Sequence, residues 1–289
     1  MIKGLIVKGI GGFYYVKTDE QVYQCRARGI FRDQGVTPMI GDIVDIEVQD
    51  DGDAVVDRIY PRKNEFLRPP VSNIDMMVVV AAAARPKPNT AVIDKLLVAA
   101  EKSSVEIMIC INKIDIAEPQ IVAGLKEIYE KIYPLVLVSG KTGEGIDGLK
   151  EHLAGKRSAF AGPSGAGKST LLNRLQPSIE AETGSVSSKT KRGRHTTRHV
   201  EIFDMDFGGM VYDTPGFTSF DTSDADLGEL QFYFPEMRPY IGKCRYDNCR
   251  HLKEPDCAVT AAVEAGKISR SRYDSYTAQY KDIEEKNKY

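Results

Sequence analysis

The sequence predicts a multidomain chain: a small N-terminal β-barrel, a central α/β domain with a parallel sheet, and a short metal-ligand-bearing module with a helical tail. Three observations carry that expectation. Short β-branched and aromatic runs crowd the first sixty-odd residues. Apolar strands then alternate with helical stripes, and three cysteines and one histidine fall within fourteen residues near the C-terminal end. The expected boundaries are 1–65, 66–220 and 221–289.

The first module reads as five strands: Gly4–Lys8, Phe13–Val16, Gln21–Cys25, Ile43–Val48 and Ala54–Ile59, punctuated by Gly11-Gly12, Thr18-Asp19, Pro38 with Gly41-Asp42, and Asp50-Asp51-Gly52. So many short strands suggest a closed barrel of the OB type, with an open five-stranded sheet as the alternative. Pro61 and Pro69-Pro70 mark an expected linker. Beyond it, Ile74–Ala84 is a near-continuous apolar run, as for a strand covered on both faces. Ile93, Leu96, Leu97 and Ala100 share one helical face, and Ile146, Leu149 and Leu153 another. Val105–Ile111 and Leu135–Val138 are again strand-like, so strands and helices alternate as in a parallel sheet. A polar helical tail is expected from Ala258 onward.

Composition narrows the functional classes. Over 289 residues the formal charge is −2 and charged residues make up 28%. Bulk attraction to nucleic acid is therefore not expected, and any such binding must come from local patches. The longest apolar run, Met76–Ala84, is too short to span a bilayer. Five cysteines, an odd number without a secretory leader, set the expectation of a reducing, cytoplasmic setting.

Gly162-Pro163-Ser164-Gly165-Ala166-Gly167-Lys168-Ser169 fits G-x-x-x-x-G-K-[ST] at every fixed position, between the strand-like Ser158–Ala161 and the helix-like Thr170–Leu175. Glycines let backbone N–H groups wrap phosphates, and the helix end behind them faces the anion. Gly162 through Thr170 are thus the candidate phosphate contacts, with Lys168 bridging the terminal phosphates and Ser169 ligating magnesium.

Asn112-Lys113-Ile114-Asp115 follows a strand directly and matches the N-K-x-D signature of guanine recognition. The Asp115 carboxylate can accept from guanine N1–H and the exocyclic amine, whereas adenine would turn a lone pair toward it. Asn112 would hold the loop, and the Lys113 stem would cover the base. Ser139-Gly140-Lys141, at the next strand end, corresponds to the S-A-K element with Gly in place of Ala. Asp213-Thr214-Pro215-Gly216 follows an apolar strand and matches the D-x-x-G switch: Asp213 would hold magnesium through water and Gly216 would sense the γ-phosphate. The switch threonine over magnesium is assigned to Thr197, with Thr196 as its close rival.

The five elements run in an unusual order, base recognition first, then phosphate loop, then switches, which is that of a circularly permuted GTPase. Phe217 occupies the place where many GTPases carry the water-orienting glutamine, so unaided hydrolysis should be slow. His195 is the nearest replacement, either orienting water or merely contacting phosphate or RNA.

Cys244, Cys249, His251 and Cys257 form a Cys3His set without an open position, which reads as structural zinc. Five basic and no acidic residues lie between Ser188 and His199. From Arg238 to Tyr273 eight basic residues face four acidic ones, interleaved with Tyr240, Tyr246 and Tyr273. Both stretches are candidate RNA contacts, the tyrosines by stacking. In the first module Arg26, Arg28 and Arg32 are the corresponding candidates.

This order, with a barrel before it and a Cys/His cluster after it, resembles the ribosome small-subunit-dependent GTPase A family, of the RsgA, YjeQ or YloQ type. The resemblance covers essentially the whole chain. It implies a cytoplasmic, monomeric GTPase with no membrane partner. Such a protein would bind the small ribosomal subunit and its rRNA late in maturation, and the subunit would stimulate its hydrolysis. It also implies the same zinc ligands and a histidine where His195 stands. The competing reading is an RNA-binding module that uses nucleotide only to stabilise its fold.

Overall fold

The computed structural model describes residues 1–49, 53–176, 200–213 and 226–287. The N-terminal strands are β1 (Ile2–Ile10), β2 (Phe13–Lys17) and β3 (Val22–Ala27), then, after a short helix α1 (Gly29–Asp33), β4 (Ile43–Val48) and β5 (Ala54–Ile59). Each turns alternate apolar side chains inward, and Ile6, Val16, Cys25, Val44, Ile46 and Val56 are wholly buried. The strands run β1-β2-β3-β5-β4, and β4 pairs back onto β1 from Ile2–Ile46 to Leu5–Ile43. That ladder closes the barrel and rules out the open sheet. Closure depends on Gly4, where a Cβ would stand 2.5 Å from Val16 Cγ1. It is also eased by a register slip between Ile6 and Lys8, which bends β1.

The expected linker is a folded hairpin. β6 (Glu65–Leu67) and β7 (Pro70–Ser72) pair antiparallel and bury Phe66 and Val71. Pro70 sits at the first position of its strand, where a missing N–H is tolerated. Fully buried Asp42 ties hairpin to barrel, accepting from Ser72 Oγ at 2.6 Å, Arg62 Nε at 2.8 Å and Met39 N at 2.7 Å.

The chain continues through β8 (Met76–Ala82), α2 (Thr90–Lys102), β9 (Glu106–Asn112), α3 (Pro119–Tyr129), β10 (Leu135–Leu137) and α4 (Ile146–Leu153). Then follow β11 (Arg157–Ala161), α5 (Lys168–Leu175), β12 (Glu201–Asp204), β13 (Met210–Asp213), α6 (Ala258–Glu264) and α7 (Arg270–Lys286). The polar tail is thus two helices. Among the described residues, no helix is long and apolar enough to cross a membrane.

Contacts gather the described residues into two compact units built from interleaved stretches. One takes Met1–Val78, Ile146–Phe160 and the described part of Lys168–Thr218. The other takes Val79–Gly145, Ala161–Gly167 and the described part of Ser219–Tyr289. In the first, β11 and β13 pair parallel and β12 joins β13 to barrel strand β1. Lys8 pairs with Glu201 at 2.6 Å beside that junction.

In the second unit β9 and β10 pair parallel, Leu135 opposite Ile109. Val98 of α2 joins a C-terminal core with Phe234, Met237, Tyr276 and Ile283. Beneath it lies Arg272, fully buried, reaching Asp94 of α2 at 2.7 Å and Glu236 at 2.7 Å. Tyr129 Oη donates to the same Asp94 oxygen at 3.0 Å. Removing one partner of such a buried cluster strands the other charges in a dry interior. Arg272→Met should lower stability by about 3–5 kcal/mol, read as a fall in urea-unfolding midpoint. A loss below about 1 kcal/mol would show that water reaches the two carboxylates.

Candidate nucleotide site and metal centre

The second unit brings base-recognition and phosphate-loop residues together through one side chain. β9 delivers Asn112 to its C-terminal end, 2% exposed. The Asn112 amide donates to Ala166 O at 2.9 Å, and its oxygen accepts from Lys113 N at 2.8 Å and Gly140 N at 3.0 Å. Three loops are pinned by three hydrogen bonds. Lys113 then turns the chain sharply with φ +66°, and its ammonium donates to Gly165 O at 2.7 Å and to Arg85 O. The Lys113 stem is held along the loop, and burial pushes its pKa down against the opposing charge of Asp115.

Asp115 itself is exposed. Ser139 Oγ donates to its Oδ1 at 2.7 Å and accepts from Thr142 N at 3.0 Å. A carboxylate oriented this way keeps acceptor capacity on both oxygens for the paired N–H groups of a guanine edge.

The phosphate loop is packed too tightly for side chains at two positions. A Cβ on Gly162 would lie 2.4 Å from Val80 O, and one on Gly167, at φ +97°, would lie 2.3 Å from Asn112 Nδ2. Past Gly167 the chain enters α5 at Lys168, so the N–H groups of Lys168, Ser169 and Thr170 lack intrahelical acceptors and suit an anion.

In the first unit, burial pushes the Lys168 ammonium down to about 8. Asp213 closes β13; burial first, then the charge of Glu201, pushes its carboxyl pKa up. A magnesium ion beside Asp213 would offset both effects, so this residue fits the ion that GTPases use. Thr196, Thr197, His195, Gly216 and Phe217 lie outside the described residues, as does the basic run from Lys189 to Arg198.

Cys244, Cys249, His251 and Cys257 present ligand atoms all within 4.8 Å of one another. His251 Nδ1 is 3.5 Å from Cys244 Sγ and 3.3 Å from Cys257 Sγ, and those two sulfurs are 3.8 Å apart. Tetrahedral Zn–S and Zn–N bond lengths imply separations of about 3.8 Å and 3.6 Å, so the donors fit such an ion. The loop that carries them is stapled from behind. Tyr273 Oη donates to His251 O at 2.8 Å and Tyr276 Oη to Arg250 O at 2.8 Å, while Glu254 accepts from the N–H groups of Arg250, Leu252 and Lys253. Burial also pushes the His251 imidazole pKa down, favouring the neutral form that a metal requires.

The expected stacking and charge pattern of this module needs correction. Tyr273 is buried with its hydroxyl engaged, so it offers no face to a base; Tyr246, 44% exposed, does. Arg272 counts toward the basic tally but is consumed by Asp94 and Glu236. In the barrel, Arg28 pairs with Glu47 and with Asp57, the latter at 2.9 Å, which weakens it as a phosphate contact, and Arg26 lies over Phe13. Gln231, whose Oε1 is 2.9 Å from His251 Nε2, was missed because no spacing rule joins it to the cysteine cluster.

Residues 59–223 match the RsgA GTPase family, and residues 3–56 match the RsgA N-terminal domain. The chain belongs to the RsgA GTPase family. It is a GTPase with circularly permuted motif order, as its motifs led one to expect, joined to an N-terminal barrel and a Cys3His module. Two relatives called small ribosomal subunit biogenesis GTPase RsgA are close over their full lengths. That of Alkaliphilus metalliredigens is 44% identical, covering 100% of both chains. That of Caldanaerobacter subterraneus subsp. tengcongensis is 46% identical, covering 99% of this chain and 97% of the relative. Among solved structures, YjeQ from Thermotoga maritima superposes with a TM-score of 0.85 at 37% identity, covering 98% of each chain. YloQ, described as a circularly permuted GTPase, gives 0.82 at 37% identity, covering 99% and 96%.

The depressed Lys168 pKa has a measurable consequence. Phosphate oxygens favour the ammonium, so triphosphate binding takes up a proton above neutral pH. GTP affinity should fall about fourfold between pH 7 and 8.5, with buffer-dependent binding heats at pH 8. A flat profile would place the Lys168 ammonium away from the phosphates.

Proposed function

We propose that this GTPase acts in maturation of the small ribosomal subunit, reading guanine through Asp115 and hydrolysing GTP faster when bound to that subunit. The observation that carries the guanine reading is the Asn112 tie, which fixes base loop and phosphate loop to each other. The ribosomal assignment rests on relatives of that printed name at 44–46% identity along the chain.

In this reading Asn112, Lys113, Asp115, Ser139, Gly140 and Lys141 surround the base. Gly162 through Thr170 hold the phosphates, and Lys168 spans the terminal two. Ser169, Thr197 and, through water, Asp213 would hold magnesium, which neutralises phosphate charge when bound. Gly216 senses the γ-phosphate. His195 takes the task of the glutamine that Phe217 replaces, positioning the attacking water when the subunit is bound. Cys244, Cys249, His251 and Cys257 hold one zinc ion that stabilises the C-terminal module. Barrel and zinc module supply the RNA contacts, and the protein works as a cytoplasmic monomer.

Guanine recognition is tested by Asp115→Asn. The change swaps an acceptor for a donor, so preference should shift toward xanthosine nucleotides by roughly a hundredfold. Unaltered preference in a competition titration would remove Asp115 from the base site. Hydrolysis is tested by multiple-turnover phosphate release with and without small subunits. Stimulation is expected for the native chain, and His195→Ala should keep GTP affinity while losing roughly a hundredfold of the stimulated rate. Full stimulation in the variant would exclude His195.

A further inference from the structure

The four metal-ligand atoms are necessary for the centre, but they do not by themselves decide which imidazole nitrogen faces the sulfurs. That choice is made by a chain of hydrogen bonds beginning at a backbone carbonyl. Gly228 O can only accept, and Gln231 Nε2 lies 3.0 Å from it. The amide must therefore turn its oxygen the other way, toward His251 Nε2 at 2.9 Å. An amide oxygen only accepts, so Nε2 must carry the imidazole proton. Nδ1 is then left as a lone pair, 3.5 Å and 3.3 Å from the thiols of Cys244 and Cys257.

We propose that Gln231 is a positioning residue of the Cys3His centre, holding His251 in the tautomer and rotamer that bind metal through Nδ1. The inference rests on reading the four ligands as a zinc site. His251 is buried on a left-handed backbone at φ +60°, with its ring 6.5 Å from that of Tyr276, and the Gln231 oxygen is the acceptor that its Nε2 meets there. Gln231 lies in a short 3-10 helix, Leu230–Tyr233, and Leu230 beside it is wholly buried in the C-terminal core. The amide is thus presented from a packed element, which is what an outer partner of a metal ligand requires. Gly228 is itself anchored, its N–H donating to Asp226 Oδ1 at 2.6 Å.

The test uses the full-length protein loaded with zinc. Metal content of the native chain comes first; absence of stoichiometric zinc would defeat the zinc reading itself and leave no centre to position. With zinc present, competition by a chromophoric chelator compares Gln231→Leu and Gln231→Glu. Loss of the acceptor in Gln231→Leu should weaken zinc retention roughly 10- to 100-fold, whereas Gln231→Glu, which keeps an acceptor for Nε2–H but gives up the donor to Gly228 O, should retain zinc clearly better than Gln231→Leu. Equal retention in native and Gln231→Leu, or equal loss in both variants, would overturn the proposal. Long-range proton–nitrogen spectra of the native protein give an answer even if Gln231→Leu fails to fold. They should show His251 protonated at Nε2 and metal-bound at Nδ1; metal at Nε2 would refute it.

Discussion

The nucleotide half of this molecule depends on a buried amide. Asn112 gives its donor to the phosphate loop at Ala166 and its acceptor to two backbone N–H groups, one in its own turn and one at Gly140. The bonds to Ala166 and Gly140 are buried, so leaving either unmade would cost the full desolvation of its partner, not the smaller net value of a hydrogen bond. This constraint makes the permuted chain order workable. In sequence, Asn112 comes well before the loop it braces, and nothing local connects them. The side chain supplies through space the register that chain order does not.

Much of the fold was readable because its signals are local. β4 and β5 begin and end where alternation of apolar residues does, and α2 follows the stripe of Ile93, Leu96, Leu97 and Ala100. The glycine-rich loop and N-K-x-D announced themselves because backbone approach and base pairing demand particular residue types at fixed offsets. What escaped notice depends on partners distant in sequence. Barrel closure was expected from the number of short strands, but the ladder that makes it, β4 on β1, joins strands far apart in sequence. The proline-marked stretch looked like a linker because proline signals a break, yet its neighbours Phe66 and Val71 had a core to enter.

The C-terminal module shows the same limit at single residues. Arg272 belongs to a helix of polar composition and reads as one more basic side chain for an RNA partner, but it is fully buried between Asp94 and Glu236. Tyr273 reads as a stacking platform; in fact its hydroxyl and that of Tyr276 hold the carbonyls of His251 and Arg250. Cys3His spacing singled out a cluster that could hold a metal ion, whereas Gln231 was silent, since an outer partner is defined by position in space.

Gly167 carries a consequence beyond its own loop. The absent side chain at this position is usually credited to the needs of phosphate, but here the space it leaves is filled by the Asn112 amide, 2.3 Å from where a methyl would sit. The proposed phosphate loop and the proposed base loop therefore share one void. A side chain at this one position would displace the amide that ties the two loops, so both would lose their brace in a single step.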